Sequence, residues 1–265
     1  MKELEILKKP LFWLILLLVL LWAFIFSLPD GRLHLVFCDV GQGDAILISY
    51  LQNQVLIDGG PNNKVLDCLS KKMPFWDRKI EMVVLTHPEK DHETGLIDVL
   101  KRYSVKYFVS NNLQKSSTSV KSGDQIKIGP LRFLVLWPPK NYGMTNELND
   151  SSVVLKLSFG YSQALFTGDI SEKIEHQIDL EETEILKVAH HGSKFSTSKE
   201  FLSKIKPKLA IISVGENRFG HPTPEVLERL KQAGVKVLRT DQQGNIEIVS
   251  DGRGWYTKLY DKRPD

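Results

Sequence analysis

Cysteine is scarce in this chain: Cys38 and Cys68 are the only two among 265 residues. That number excludes a disulfide framework and a cysteine-rich zinc site, and it leaves no cluster of thiolates to select a soft metal. Cys38 lies in an apolar run and Cys68 in a segment of helical spacing, so both are expected as buried thiols. Charge of one sign is not in excess either, with 35 basic against 32 acidic residues and a net charge of +3. Such a balance does not by itself announce a nucleic-acid binder. No short-period repeat and no Gly/Ser-rich linker is present, which excludes a solenoid and a loosely hinged pair of domains.

One segment departs from this ordinary composition. Residues 11–28, LFWLILLLVLLWAFIFSL, are uncharged and almost wholly apolar between Pro10 and Pro29. As a helix they would span about 27 Å, near the ~30 Å of a bilayer core. No polar face interrupts the run, which disfavours a buried core helix, and FIFSLPDG offers no small-residue cleavage site. Lys2, Lys8 and Lys9 precede it, whereas Arg32 is the only base soon after it. The positive-inside rule therefore predicts a cytoplasmic N-terminus over 1–10, a membrane anchor over 11–28, and an exterior domain over 30–265.

The exterior part alternates short apolar runs with helical patterns. LHLVFCDV, DAILISY, NQVLIDGG, IEMVVLT and KYFVSN read as strands, while KVLDCLSKKM and GLIDVLKRY read as helices. The second half repeats this organisation: a hairpin-like DQIKIGPLRFLVLWPP, strands at SSVVLKLSFG, QALFTGD, EILKVAHHG and LAIISVG, and helices at ISEKIEHQI, SKEFLSKI and TPEVLERLKQAG. A closing hairpin is expected through QQGNIEIVS. Two β-rich halves with helices predict an α/β (α+β) fold, a single αββα sandwich following one transmembrane helix.

Polar knots terminate many of these strands. They place Asp39, Asp58, His87, Asp169, His190, His191 and His221 after apolar runs, and VVLTHPEKDHETG sets two histidines, a glutamate and an aspartate within residues 87–92. Five of the seven histidines stand in such knots. Strand ends on one sheet edge converge in space, so distant residues can surround one ion. Imidazole with carboxylate suits Zn²⁺ or Mn²⁺. A carboxylate such as Asp169 can bridge two ions roughly 3.5–4 Å apart.

The strings FCDVGQGDAILI, VLIDGG, LTHPEKDHETGL, LFTGDI, ILKVAHHGSKFST and ISVGENRFGHPTPEVLERL closely resemble, in order and spacing, the metallo-β-lactamase-fold domain of ComEC-type competence proteins. The resemblance covers about residues 33–248. It implies a metallohydrolase with two divalent ions, Zn or Mn, whose signature H-x-H-x-D-H is met by His87, Asp91 and His92, with Glu89 at the middle ligand position. For the third motif NELNDSSVVL offers Asn149 or Asp150 where many relatives use His. The resemblance further implies Asp169 as the bridging carboxylate and His190 as the last ligand, with His191 its rival. Asp39 and Asp58 would support or fix the loops, and His221 would contact phosphate or the transition state.

In HHGSKFSTS, Gly192 would let the backbone approach a ligand, and Ser193, Lys194, Ser196 and Thr197 supply donors of the kind that hold phosphate. The same STSKEF stretch reads as a helix N-cap. Asp91, His221 and Lys194 are the expected catalytic set, with Lys194 touching the DNA backbone. The expectation is a membrane-anchored phosphodiesterase or nuclease acting on DNA, served by a separate transport channel. Two alternatives stand beside it: a phosphodiesterase for cell-wall or teichoic-acid esters with Trp76, Trp137 and Phe195 as an aromatic cage, and a metal-free binding module.

Overall fold

An apolar run without a polar face forms helix α1, Pro10–Phe26. The computed structural model describes residues 9–26, 28–111, 118–142 and 147–259. It divides the chain into two units, Met1–Asp30 and Gly31–Asp265. In the first unit the side chains of Trp13, Leu17, Leu20 and Trp22 are exposed. Within the expected span of 11–28 the helix covers residues 11–26, and Ser27 lies outside the described residues. Among the described residues no helix is long and apolar enough to cross a membrane.

The second unit is built on alternation. Strand β1 (Leu33–Phe37) turns Leu33, Leu35 and Phe37 to one side and Val36 to the other, and both sides are buried. It pairs antiparallel with β2 (Ile46–Tyr50), which pairs with β3 (Asn53–Ile57). Helix α2 (Lys64–Lys72) returns the chain to β4 (Lys79–Leu85), parallel to β3. Helix α3 (Lys90–Arg102) then leads to β5 (Ser104–Ser110), parallel to β4, and β6 (Thr118–Ser119) ends this edge.

The second sheet begins with the hairpin β7 (Gln125–Ile128) and β8 (Leu131–Trp137), followed by β9 (Val154–Phe159) and β10 (Ser162–Phe166). Strands β11 (Ile185–Lys187), β12 (Leu209–Ile212) and β13 (Lys236–Arg239) continue parallel to β10. The connection expected as a helix through ISEKIEHQI holds a single turn, α4 (Glu172–Glu175), while α5 (Lys199–Ile205) and α6 (Pro224–Gln232) form the other two crossovers. A short α7 (Thr240–Gln243) precedes β14 (Ile246–Ser250) and β15 (Trp255–Leu259).

Two sheets result, ordered β15-β14-β1-β2-β3-β4-β5-β6 and β13-β12-β11-β10-β9-β8-β7. One core lies between them, with Phe37, Ile48 and Val84 on one side and Phe133, Leu155 and Phe166 on the other. A second joins α2 and α3 to the first sheet through Cys68, Leu69, Leu96 and Val99, and a third joins α5 and α6 to the second through Phe201, Leu202, Val226 and Leu230. This is the expected αββα sandwich. The expectation of two thiols is corrected: Cys38 and Cys68 are disulfide-bonded, with Cα atoms 5.9 Å apart. Packing of α2 on the first sheet brings Cys68 against the end of β1, an approach that spacing along the chain does not reveal.

Candidate metal centre

Parallel strands end on a common side, and here the ends of β3 and β4 in one sheet face those of β10, β11 and β12 in the other. Asp91 and His92, in the first turn of α3, meet Asp169, after β10, and His191, after β11. One ligand atom from each of the four lies within 4.8 Å of the others. His92 Nε2 and His191 Nε2 stand 3.4 and 3.3 Å from Asp169 Oδ2, and His191 Nε2 is 3.3 Å from Asp91 Oδ2.

Each buried ring is oriented by its other nitrogen. His92 Nδ1 donates to Asp58 Oδ2 at 2.8 Å, and Asp58 in turn accepts the amide and hydroxyl of Thr86 at 2.8 and 2.7 Å. His191 Nδ1 donates to the Ser213 carbonyl at 2.8 Å. His87 Nδ1 lies 3.1 Å from Thr86 Oγ1 and 3.2 Å from Ser152 Oγ. Both hydroxyls already donate elsewhere, to Asp58 and to the Asn149 carbonyl, so His87 Nδ1 carries the proton. The consequence is uniform: Nε2 of His87, His92 and His191 is buried and without a hydrogen-bond partner. Imidazoles held this way beside carboxylates fit a divalent cation.

The electrostatics agree. Burial opposes charge on His191, but the Asp169 charge and the carboxylates of Asp169 and Asp91 beside its Nε2 outweigh it and raise its pKa to about 10. His92 rises well above its ordinary value against the same burial, through Asp169 and Asp58. Asp169, though buried, is held well below the usual range by His191, His92 and Lys187. Burial and the neighbouring His92 charge push His87 down to about 3. A divalent cation held by these rings would take the place of the protons on His92 and His191.

Two members of this network were not singled out in the sequence. Asp44, buried in the GQGD turn, and Lys187, only 1% exposed at the end of β11, form an ion pair. Lys187 Nζ also donates to the Gly168 carbonyl at 3.0 Å and lies 3.4 Å from Asp169 Oδ1. The legible signals were an aspartate opening an apolar strand and a lysine inside EILKVAHHG. Gly43 makes the turn: its φ is +144°, and a Cβ there would collide with the Asp91 carbonyl.

The other expected residues are distributed around this centre. Asp39 is half-buried, accepts the Gly41 amide at 3.4 Å and stands outside the cluster, whereas Asp44 groups with Asp58 and His92. Glu89 stands half-buried just before α3; burial, then Asp91, raises its carboxyl. Asp150 Oδ1 accepts the Ser171 amide at 2.9 Å and so fixes a loop. Asn149 Nδ2 lies 3.5 Å from His190 Nε2. Successive residues His190 and His191 both adopt positive φ, +49° and +51°. This strained turn sends His191 into the buried cluster and His190 toward Asn149 and His221, whose ring is 5.5 Å away. Burial lowers the pKa of His221 to about 4, so it is neutral.

The loop after these histidines differs from its expected use. Ser196 Oγ donates to the Ala189 and Ser193 carbonyls, Ser193 Oγ accepts the Phe195 amide, and the Thr197 and Ser198 amides donate to buried Glu175. Ser193, Ser196 and Thr197 are buried, so these groups secure the loop, and Lys194 is the exposed cation. Gly192 accommodates Pro222, which would stand 2.6 Å from a Cβ.

Residues 38–216 match the metallo-beta-lactamase superfamily. The chain belongs to that superfamily. It is 31% identical to ComE operon protein 3 of Bacillus subtilis over 86% of this chain and 34% of the relative, and 26% identical to competence protein ComA of Neisseria gonorrhoeae over 86% and 34%. The chain thus spans about a third of the length of these relatives, and it is a metallo-β-lactamase-fold domain related to competence proteins. The metallo-beta-lactamase fold protein YhfI of Bacillus subtilis superposes with a TM-score of 0.60 at 10% identity, covering 83% of this chain and 100% of YhfI, which shows the shared fold.

Proposed function

We propose that this metallo-β-lactamase-fold domain is a metal-dependent phosphodiesterase acting on DNA, held by α1 at a membrane with its sandwich outside the cytoplasm. The observation that carries the reading is the buried convergence of Asp91, His92, Asp169 and His191 with partnerless Nε2 atoms facing inward. These four would hold one divalent ion, Zn or Mn; His87, Glu89 and His190, sharing Asp169, are the residues left for a second. Such ions polarise a phosphoryl oxygen and lower the pKa of bound water to near neutrality. Asp58 and the Ser213 carbonyl fix the rings so that Nε2 points inward, and Lys187 offsets the carboxylate charge of Asp44 and Asp169. His221, neutral at the mouth, offers contact to a phosphate oxygen, and Lys194 offers a solvent-facing cation for the strand backbone.

The names of the relatives, a competence protein among them, favour DNA as substrate. A disulfide favours the oxidising exterior, and the basic N-terminal flank favours the stated orientation. A separate channel would complete any transport role. The aromatic-cage alternative loses support because Trp137 is buried, with Nε1 donating to the Asp150 carbonyl. The test is cleavage by the purified sandwich of single-stranded DNA, duplex DNA and bis(p-nitrophenyl) phosphate with and without Zn²⁺ or Mn²⁺. Metal-dependent DNA cleavage that disappears in Asp169→Ala is expected. Turnover of the small diester alone would refute DNA as substrate, and no metal-dependent turnover at all would refute the enzyme.

A further inference from the structure

Two aromatic rings stand in solvent beside the centre, each following a basic residue. Phe195 follows Lys194 and is 66% exposed; Phe219 follows Arg218 and is 72% exposed. Both lie on loops that carry histidines of the site, and the loops are tied together by the Thr223 amide donating to the Gly192 carbonyl at 2.9 Å.

Neither loop is free to fold its ring away. Asn217 Oδ1 accepts the amides of Phe219 and His221, both at 3.0 Å, while its Nδ2 donates to the carbonyls of Gly215 and His221 at 2.9 and 2.8 Å. The Phe219 ring therefore stacks on His221, with centroids 5.7 Å apart and planes 26° apart. Rings continue inward from there, His221 to His190 at 5.5 Å and His190 to His191 at 6.3 Å. On the other loop the Arg229 guanidinium donates to the Lys194 carbonyl at 2.9 Å, the Glu172 amide donates to the Phe195 carbonyl at 2.8 Å, and Lys194 Nζ rests 5.1 Å from the Phe195 ring centre.

Large rings pinned in solvent on the loops of a site offer apolar area that a ligand can cover. A planar, uncharged face beside a cation matches a nucleotide, whose base stacks while its phosphate meets the cation. Paired bases bury their faces within a duplex and cannot do this. We propose that Phe219, stacked on His221, and Phe195 are base-stacking platforms that admit unpaired nucleotides to the centre, making a single strand or frayed end the preferred substrate. This rests on the reading of the site as a DNA phosphodiesterase.

The experiment measures binding of the metal-loaded protein to a short single strand carrying 2-aminopurine, to its duplex, and to the same strand with abasic residues. It compares wild type with Phe219→Leu, Phe195→Leu, Phe219→Trp and, as a control, Tyr161→Leu, whose ring is 86% exposed on another loop. Phe219→Leu should weaken single-strand binding roughly tenfold, reduce 2-aminopurine quenching, and narrow the gap between the intact and abasic strands. Phe219→Trp should restore quenching, and Tyr161→Leu should behave as wild type. Equal wild-type affinity for intact and abasic strands, or undiminished single-strand affinity in both leucine variants, would overturn the proposal while leaving DNA cleavage standing. A wild type that binds and cleaves no DNA but turns over the small diester would overturn the underlying reading and this inference with it.

Discussion

Lys187 is a buried ammonium between Asp44 and Asp169, and its pKa stays raised because those carboxylates outweigh the burial that opposes its charge. Replacing it by methionine takes the ammonium away from two buried carboxylates. Lys187→Met should lose about 3–5 kcal/mol of stability, read from the denaturant midpoint. The adjacent pair His190 and His191 separates by backbone direction, and the two should differ sharply. His191→Ala should remove the ion held with Asp91, His92 and Asp169, whereas His190→Ala should retain it; metal content of the purified variants, beside circular dichroism, decides. Asp39→Ala should likewise keep its metal, because its carboxylate serves the Gly41 amide.

At the scale of elements, the first turn of α3 has to reach the GQGD turn for Asp91, His92 and Asp44 to meet. Gly43 permits that approach, and the Asp44 amide donates to the Asp91 carbonyl at 3.2 Å. Gly43→Ala combines a positive φ with a backbone collision, so it should destabilise the domain by roughly 1–3 kcal/mol and lower metal content, measured by thermal melts with metal analysis. Another tie of the first sheet to its helices is Cys38–Cys68, closing a loop 30 residues long. Reduction should lower stability by roughly 3–4 kcal/mol, visible as a shift of the urea midpoint on adding reductant.

For the whole molecule, the centre joins both sheets, and β14 from the end of the chain closes the first. Glu247 on β14 accepts from His34 of β1 at 2.7 Å and from Lys72 of α2 at 2.8 Å. Burial raises its pKa, but these two partners overcome that and bring it down to about 2. A folded pKa below the unfolded one contributes stability that is present above about 4.5 and is lost as pH falls toward 2. Stability measured across that window should fall in wild type and fall less in Glu247→Gln.

The sequence by itself determined the alternation that makes two sheets, the polar knots at their ends, and the kinship carried by strings such as LTHPEKDHETGL, because periodicity and ligand chemistry are local properties. Tertiary structure decided which of two adjacent histidines turns inward, His191 and not His190, and it brought Asp44 into the cluster where Asp39 stays outside. Adjacent residues of one type are alike in composition, and only backbone dihedrals and facing elements tell them apart. Tertiary structure likewise decided the Cys38–Cys68 bond, the ion pair of Asp44 with Lys187, and the placement of the closing β14–β15 hairpin beside β1. Each of these joins residues far apart in the chain, where packing between layers, and not spacing, selects the partner.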